Sequence, residues 1–486
     1  MSLEPPDAVL LARIQFAFTI TFHIIFPAFT IGLSAFIATL LGRAWWTGDD
    51  RYRTLARFWT KIFAVSFAMG VVSGIVLSYQ FGTNWSRFSV VVGNVVGPLI
   101  AYEVLTAFFL EATFLGILLF GWDRFPRGLH FTAAAMVAIG TLMSAFWILS
   151  ANSWMQYPVG HEVRNGIAYP LDWLTIVFNP TFPLRLTHMV IAAYLTTAIV
   201  VLAVGARYAL RGIHEDHART MLRMGLGMAL VLAPLQLVIG DFHGLSTAKH
   251  QPAKLAAMEG HWESDKVAPL VLFAWPNAKT ETNDYEVAIP KLGSFIITHD
   301  WNGKFPGLKD FAPQDRPPLP NVFFAFRIMV GIGLFLIALV LFGGVLLWRR
   351  ELEFNRFFLA IASRSWPLGF VAIIAGWMVT ESGRQPWLAT GILRTADAIS
   401  PVSAAHVATT LALFVIIYSI VFFMGVRYIN RLINKGPIEP PNRKAEKRRR
   451  PPPPASAPAP RANCSSRANS LARRLSGWRS WRSISW

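Results

Sequence analysis

Two acidic residues lie inside an apolar segment that is long enough to cross a bilayer. Glu103 and Glu111 occur in PLIAYEVLTAFFLEAT, residues 98–113. An ionisable side chain at mid-membrane costs at least about 2.5 kcal/mol, so each acid needs a partner, a cavity or a function. On a regular α-helix the two carboxylates are about 12 Å apart along the axis and about 80° apart around it. They can line one polar stripe and transfer protons through water or hydroxyl groups, without touching each other.

Ser144, in the next apolar segment, is a candidate hydroxyl for that stripe. Its alternative is a hydrogen bond to its own helix backbone. The alternative for the two glutamates is a structural ion pair with Lys or Arg on another helix. Because intramembrane acids are functional by default, the sequence favours proton transfer.

Histidine and methionine in other apolar segments could ligate haem iron. His23 lies near the middle of FAFTITFHIIFPAF, and His188 lies one turn inside the segment that contains RLTHMVIAAY. A thioether opposite an imidazole gives a six-coordinate, low-spin haem, and FRIMVGIG offers Met329 with Arg327 beside it. The alternatives are hydrogen-bonded core histidines, a core methionine and an arginine that reaches the membrane surface.

The densest group of such residues is GWMVTESGRQPW, residues 376–387. Glu381 and Arg384 are spaced i, i+3 and can pair on one helix face, with Trp377 one turn earlier on that face. A purely structural ion pair and interfacial tryptophans explain the same pattern. This segment alone therefore does not decide between function and structure.

Composition shows what must position these residues. Of 486 residues, 54% are hydrophobic and only 15% are charged, which is typical of a polytopic membrane protein. We predict an all-α fold of about nine transmembrane helices in antiparallel bundles, since each apolar run matches one crossing of about 30 Å. No cleavable signal peptide is expected, because further crossings follow the long first run. The runs are 12–41, 58–80, 98–121, 129–150, 185–207, 219–240, 321–348, 366–382 and 403–429.

The predicted spans divide the chain into four regions. Residues 1–240 hold helices 1–6, and residues 321–430 hold helices 7–9. Between them, 241–320 is a hydrophilic insertion, in which QPAKLAAMEGHWES predicts an amphipathic helix and NDYEVAIPKLGSFIITHD an extended or irregular segment. The region 431–486 is a basic, proline-rich tail, which we expect to be disordered.

Most of the formal net charge of +18 lies in that tail. A basic extension next to the membrane explains this charge, so we do not infer nucleic-acid binding from it. The other Lys and Arg clusters fall on the same side of a nine-span arrangement. The positive-inside rule then predicts a cytoplasmic C-terminus, with the N-terminus and the insertion outside. The single cysteine, Cys464, excludes a disulfide, a thiolate iron–sulfur cluster or a CxxCH haem within this chain.

Together these segments resemble subunit I of the cytochrome bd-type quinol oxidases, the copper-free terminal oxidases of bacteria. The resemblance runs from about residue 10 to about residue 430. Its segments, in the family's order, are YQFGTNWS, AFFLEATFLG, FGWDR, ANSWMQ, FAFRIMV and ESGRQPW.

The resemblance implies three haems. His188 and Met329 match the axial ligands of the low-spin haem b, and Arg327 matches the arginine beside it. His23 and Glu381 match ligands of the oxygen-reducing pair, a high-spin haem b and a haem d, in an order left open. Two more residues match positions near this haem cluster: Trp377 and Arg384.

The resemblance also implies routes for protons and a site for quinol. Glu103, Glu111 and Ser144 match a proton-conducting stripe, and Lys254 and Glu259 match a pair involved in quinol oxidation. The alternative for the last two is a solvated ion pair on an exposed helix surface. The implied enzyme is a quinol:oxygen oxidoreductase of the bacterial inner membrane, which forms a proton gradient without pumping.

The implied partners are subunit II, a small single-span subunit, quinol, oxygen and the lipid bilayer. Two features depart from the family pattern. The insertion is short, as in the cyanide-insensitive branch, where a further haem b can replace haem d, and the basic tail is not a family feature. A proton-coupled membrane transporter is the alternative from another class, whereas a copper oxidase would need more intramembrane histidines.

Overall fold

The computed structural model describes residues 7–264 and 266–438. The predicted tail, with Cys464, lies outside the described residues. Helices dominate the described part, and its strands form separate two-stranded antiparallel sheets.

In the described residues, eight helical spans are long and apolar enough to cross a membrane. A ninth is formed if α12 (Arg356–Arg364) and α13 (Leu368–Ser382), which meet at a bend of 43°, make one crossing. The predicted all-α polytopic fold is therefore confirmed. Numbered in chain order, the eight are α1 (Ala8–Thr47), α2 (Asp50–Thr83), α3 (Ser86–Tyr102) with α4 (Phe109–Phe120), α5 (Arg127–Gln156), α7 (Phe182–Arg211), α8 (Glu215–His250), α11 (Leu319–Trp348) and α14 (Ala404–Lys435).

The helices are longer than the apolar runs that predicted them. The third span begins at Ser86, so the loop expected at 81–97 is mostly helix, and α8 continues to His250 inside the expected insertion. Hydropathy identifies only the part of a helix that is apolar enough for the hydrocarbon core of the bilayer. The helix itself ends at capping residues, such as Gly48 with its left-handed φ of 73° after α1.

Short elements connect the spans. A hairpin of β1 (His161–Arg164) and β2 (Ile167–Pro170) precedes the five-residue helix α6 (Trp173–Val177), and β5 (Trp387–Ala389) pairs with β6 (Leu393–Arg394) after α13. The turn between β5 and β6 is attached to the bundle by a backbone hydrogen bond from Thr390 N to Met155 O of α5, at 3.1 Å.

We use "the insertion" for residues 251–318, between α8 and α11. It contains α9 (Pro252–Glu259), the hairpin β3 (Leu270–Asn277) and β4 (Thr282–Ile289), and α10 (Leu292–Thr298). The segment expected to be extended or irregular is thus half strand and half helix. Tertiary bonds explain the helix, because Ser294 N donates to Ala268 O at 3.0 Å and Ser294 Oγ accepts from Ala268 N at 2.8 Å.

The core lies around α1 and α7. Buried residues make up 78% of the apolar stretch of α7 and 72% of that of α1, against 11% for α14. Small residues permit close packing of α7 against α8. A Cβ on Gly225 would lie 2.8 Å from Leu202 N and 2.9 Å from Ala198 O.

We predict that Gly225→Val destabilises the bundle, because the new side chain collides with the backbone of α7. Overpacking of this kind costs about 1–3 kcal/mol, so thermal unfolding of the detergent-solubilised protein should begin several degrees lower. Gly227→Val is the matched control, since a Cβ on Gly227 meets nothing within 4 Å. Equal unfolding temperatures for the two variants would contradict this packing.

Candidate functional site

A cluster of buried polar side chains lies where α5, α7, α9 and α13 meet. At its centre is Glu381, near the end of α13: Asn152 Nδ2 donates to Glu381 Oε1 at 2.9 Å, and the Arg384 guanidinium pairs with the other oxygen. Arg185 of α7 donates to Asn152 Oδ1 and, at 3.0 Å, to Ser153 Oγ. The predicted Glu381–Arg384 ion pair is confirmed, and we call this group the polar cluster.

Arg384 has spare donors. Its Nε and Nη1 are buried and have no hydrogen-bond partner among the described residues. A buried donor without a partner costs about 1–3 kcal/mol, and the polar cluster already contains more cations than anions. The arrangement therefore suits an additional anionic group, such as a carboxylate, beside Arg384.

The polar cluster continues to Lys254 of α9. Its Nζ donates to Gln156 Oε1 at 2.6 Å and to Gln251 Oε1 at 2.7 Å, while Gln156 Nε2 donates to Glu381 Oε1 at 3.4 Å. Gln156, which is fully buried, therefore connects Lys254 with Glu381. Neither Gln156 nor Arg185 was singled out in the sequence, although Arg185 lies three residues from His188 in an apolar segment.

The reading of Lys254 and Glu259 as an exposed surface pair is wrong. Lys254 is only 4% exposed and Glu259 only 6%. Burial holds the pKa of Lys254 well below its usual range, and the neighbouring charge of Arg185 adds to this effect. Burial raises the pKa of Glu259, against the opposing influence of the Arg327 charge. Both groups are thus shifted towards their uncharged forms.

Arg327 fastens the insertion to α11. Its guanidinium donates to Met258 O at 2.7 Å, to Val271 O at 2.6 Å and to Phe323 O at 3.1 Å. These carbonyls belong to α9, β3 and α11, so the side chain links three elements, which differs from the alternative of an arginine that reaches the membrane surface. Glu259, at the end of α9, has one carboxylate oxygen without a hydrogen-bond partner in the described residues.

His188 faces α8. Gln236 Nε2 lies 3.3 Å from His188 Nδ1 and 3.2 Å from His188 Nε2. One amide nitrogen cannot bond to both ring nitrogens, because these point in different directions in the ring plane and only one of them accepts in the neutral ring. A Cβ on Gly240 would lie 3.3 Å from His188 Cε1. The imidazole therefore packs closely against Gly240 and forms no well-aligned hydrogen bond with any other described residue.

Met329 has a similar neighbour. A Cβ on Gly376 of α13 would lie 2.8 Å from Met329 Sδ, so even alanine there would displace the thioether. Helix α13 packs against both α7 and α11, which carry His188 and Met329. Trp377, next to Gly376, is partly buried on the same helix.

His23 is oriented by a serine. Ser73 Oγ donates to Met69 O at 2.9 Å, and His23 Nδ1 lies 3.0 Å from Ser73 Oγ. Because the hydroxyl hydrogen is used by the backbone, Nδ1 is the donor and Nε2 keeps its lone pair. A Cβ on Gly74 would lie 3.1 Å from His23 Cε1.

These features fit haem. His23 has a ring nitrogen available for iron, and His23, His188 and Met329 each pack against a glycine, where any larger side chain would press on the candidate ligand. The spare donors of Arg384 suit a propionate. Imidazole, thioether and carboxylate are all ligand types that bind iron.

The acidic stripe also has contacts beyond its own helix. Ser144 Oγ donates to Glu103 Oε1 at 2.7 Å, which favours the predicted stripe over a serine bonded only to its backbone. Glu111 is buried, and its Oε1 has no hydrogen-bond partner among the described residues. A π-helical segment, Glu103–Phe108, separates the two acids, so the regular α-helical spacing that we assumed does not apply.

Comparison with known proteins gives a consistent result. A family model described as cytochrome bd terminal oxidase subunit I matches residues 11–437. The chain is 35% identical to subunit 1 of the cytochrome bd ubiquinol oxidase of Bacillus subtilis, over 88% of this chain and 94% of that protein. It is 33% identical to subunit 1 of the cytochrome bd-II ubiquinol oxidase of Escherichia coli, over 89% and 97%.

A solved structure agrees with the sequence relatives. The bd oxidase of Geobacillus thermodenitrificans matches with a TM-score of 0.83 at 32% identity, covering 90% of this chain and 100% of that chain. Since the family model covers most of the sequence and the fold is shared, this chain belongs to the cytochrome bd terminal oxidase subunit I family.

Proposed function

We propose that this chain is the haem-bearing subunit of a quinol:oxygen oxidoreductase in the bacterial inner membrane. The observation that carries the proposal is the buried connection from Lys254 through Gln156 to Glu381. It joins the insertion, where quinol would bind, to the helix that carries a candidate haem ligand. A proton-coupled transporter, the alternative, would show no haem absorption bands when purified.

His188 and Met329 would hold a low-spin haem b, and His23 and Glu381 would each serve one haem of the oxygen-reducing pair. That pair is a high-spin haem b with a haem d or a further haem b. When bound, the haems supply one-electron transfer from quinol to oxygen. Arg384 and Trp377 would orient the pair, and Arg327 would hold the insertion beside the low-spin haem.

Side chains of this chain would accept the protons of quinol and deliver protons to the site of oxygen reduction. Glu259, with its raised pKa, would accept a proton from a quinol hydroxyl, while Lys254 would hydrogen-bond the second oxygen. Each quinol releases two protons and two electrons, so two quinols reduce one oxygen molecule to two waters with four protons. Glu111, Glu103 and Ser144 would deliver those protons from the cytoplasmic side. Quinol protons released outside then give a gradient without pumping.

The orientation and partners follow from the same proposal. The insertion and the N-terminus would lie outside and the C-terminus in the cytoplasm, as the basic loops predict. Subunit II and a small single-span subunit would cover part of the exposed apolar surface. The alignment with the Escherichia coli relative spans 501 residues and that with the Bacillus subtilis relative 439. A longer insertion in the Escherichia coli relative would give this difference, in agreement with the short-insertion branch.

We predict that His188→Ala and Met329→Ala each abolish the low-spin haem bands in a reduced-minus-oxidised spectrum, because each removes an axial ligand. Ile328→Ala, a change at an exposed neighbour of Met329, should keep those bands. Low-spin bands that persist in both ligand variants would refute the assignment. A complete lack of haem in the unmodified protein would favour the transporter.

Quinol oxidation should depend on the ionisation of Glu259. Only the deprotonated carboxylate can accept a proton, and burial raises its pKa. The value of kcat/KM for quinol should therefore increase as pH rises through a pKa above the usual range of glutamate. Steady-state oxygen consumption at a series of pH values measures this profile. Glu259→Gln should lower the rate and remove the rise of kcat/KM with pH. An identical pH profile in Glu259→Gln would show that another group accepts the proton.

Gln156→Leu should impair quinol oxidation without loss of haem. The variant keeps the side-chain volume but removes the acceptor for Lys254 and the donor to Glu381, at a cost of about 1–3 kcal/mol. We expect kcat/KM for quinol to fall about tenfold or more. Asn94→Leu, which removes one contact outside the polar cluster, is the control. Wild-type kinetics in Gln156→Leu would mean that this connection is not used.

A further inference from the structure

The hairpin formed by β3 and β4 has an apolar face that nothing in the described chain covers. Tyr285 is 84% exposed, and Trp275 and Val287 are each 57% exposed. Three further large apolar side chains are exposed on the same two strands: Leu272, Phe273 and Ile289. Such a concentration is unusual in a segment that lies between spans, since exposed apolar patches mark contacts with a partner or a membrane.

The position of the hairpin selects between these partners. The ring of Phe324 in α11 lies 5.5 Å from that of Trp275 and 6.4 Å from that of Phe273. Arg327 binds Val271 O from the same helix. These residues lie within about the first 12 Å of α11, which begins at Leu319. Strand β3 therefore runs beside the first turns of a span instead of lying beyond its end.

The apolar face of the hairpin continues onto the span. On α11, Ile328, Leu334 and Phe335 are exposed, in the helix with the highest hydropathy of the eight. Phe324 lies between the two surfaces. A helix face of this composition meets lipid, so the hairpin extends a lipid-facing surface towards the membrane boundary.

We propose that the β3–β4 hairpin lies in the headgroup region of the bilayer, with Trp275 and Tyr285 among the lipid headgroups and Phe273 and Val287 towards the acyl chains. Trp and Tyr favour this depth because their rings are amphipathic. A two-stranded sheet has unpaired backbone groups at its edges, which excludes the dry hydrocarbon centre but not the hydrated boundary. At its polar tip, Lys279 and Thr280 are exposed and can remain in water, and Glu281 pairs with Arg316.

Membrane contact would place the candidate quinol site at a useful depth. The Arg327 guanidinium that binds β3 also binds Met258 O, one residue before Glu259. A hairpin held in the headgroup region would therefore hold Glu259 near the lipid from which a hydrophobic quinol arrives. This consequence rests on the proposed function, whereas the membrane contact does not.

The test uses the complete oxidase complex in lipid nanodiscs, without quinol so that no oxygen is consumed. In a Cys464→Ser background, a nitroxide label is attached to Val287→Cys, and collision rates with oxygen and with a water-soluble nickel chelate are measured by electron paramagnetic resonance. Lys304→Cys is the matched control, because Lys304 is an exposed polar residue of the same insertion. Both substitutions are at exposed side chains, so the fold should be retained.

The label at Val287 should collide several times more often with oxygen, relative to nickel, than the label at Lys304. Equal ratios at the two positions would place the hairpin in water and overturn the proposal. Protection of Val287 from both reagents would also overturn it, because a protein partner and not lipid would then cover this face. Neither result depends on catalytic turnover, so the proposed quinol reaction is judged separately.

Discussion

The cost of removing ionic groups from water governs the arrangement of this bundle. Arg185 and Arg384 converge on the single carboxylate of Glu381, and Lys254 reaches it through Gln156. Such an excess of buried cations is expensive unless further anions or hydrogen bonds compensate. The bundle provides amide oxygens from Asn152 and Gln156, and the remaining donors of Arg384 suit the carboxylates of a bound haem. A haem bound here would therefore stabilise the folded form of this region.

Hydropathy predicted the spans well, because the bilayer imposes one requirement on every crossing. It could not locate helix ends, which depend on local caps such as Gly48 and on contacts such as those of Ser294 with Ala268. It also could not reveal that Lys254 is buried. That depends on the packing of α9 against other elements, and a short amphipathic helix has the same sequence pattern whether its polar side is covered or not.

The candidate site was predictable as residue types but not as an arrangement. His23, His188 and Met329 stood out because polar or ligating side chains are uncommon in apolar helices. The glycines that face them did not stand out, because a glycine in such a helix usually indicates close packing. Only the structure shows that Gly74, Gly240 and Gly376 adjoin candidate ligands. The π-helical segment that begins at Glu103 could not be predicted from the sequence either, since no simple residue pattern specifies such a segment.

Gln156 has a consequence that follows from the asymmetry of an amide. Its oxygen faces an amine and its nitrogen faces a carboxylate, so rotation by half a turn would set donor against donor and acceptor against acceptor. The side chain is locked in one polarity by both neighbours together. If the charge of Lys254 changes, the amide cannot rotate to match it without losing its hydrogen bond to Glu381. A change in protonation at Lys254 is therefore coupled to the hydrogen bonding of Glu381.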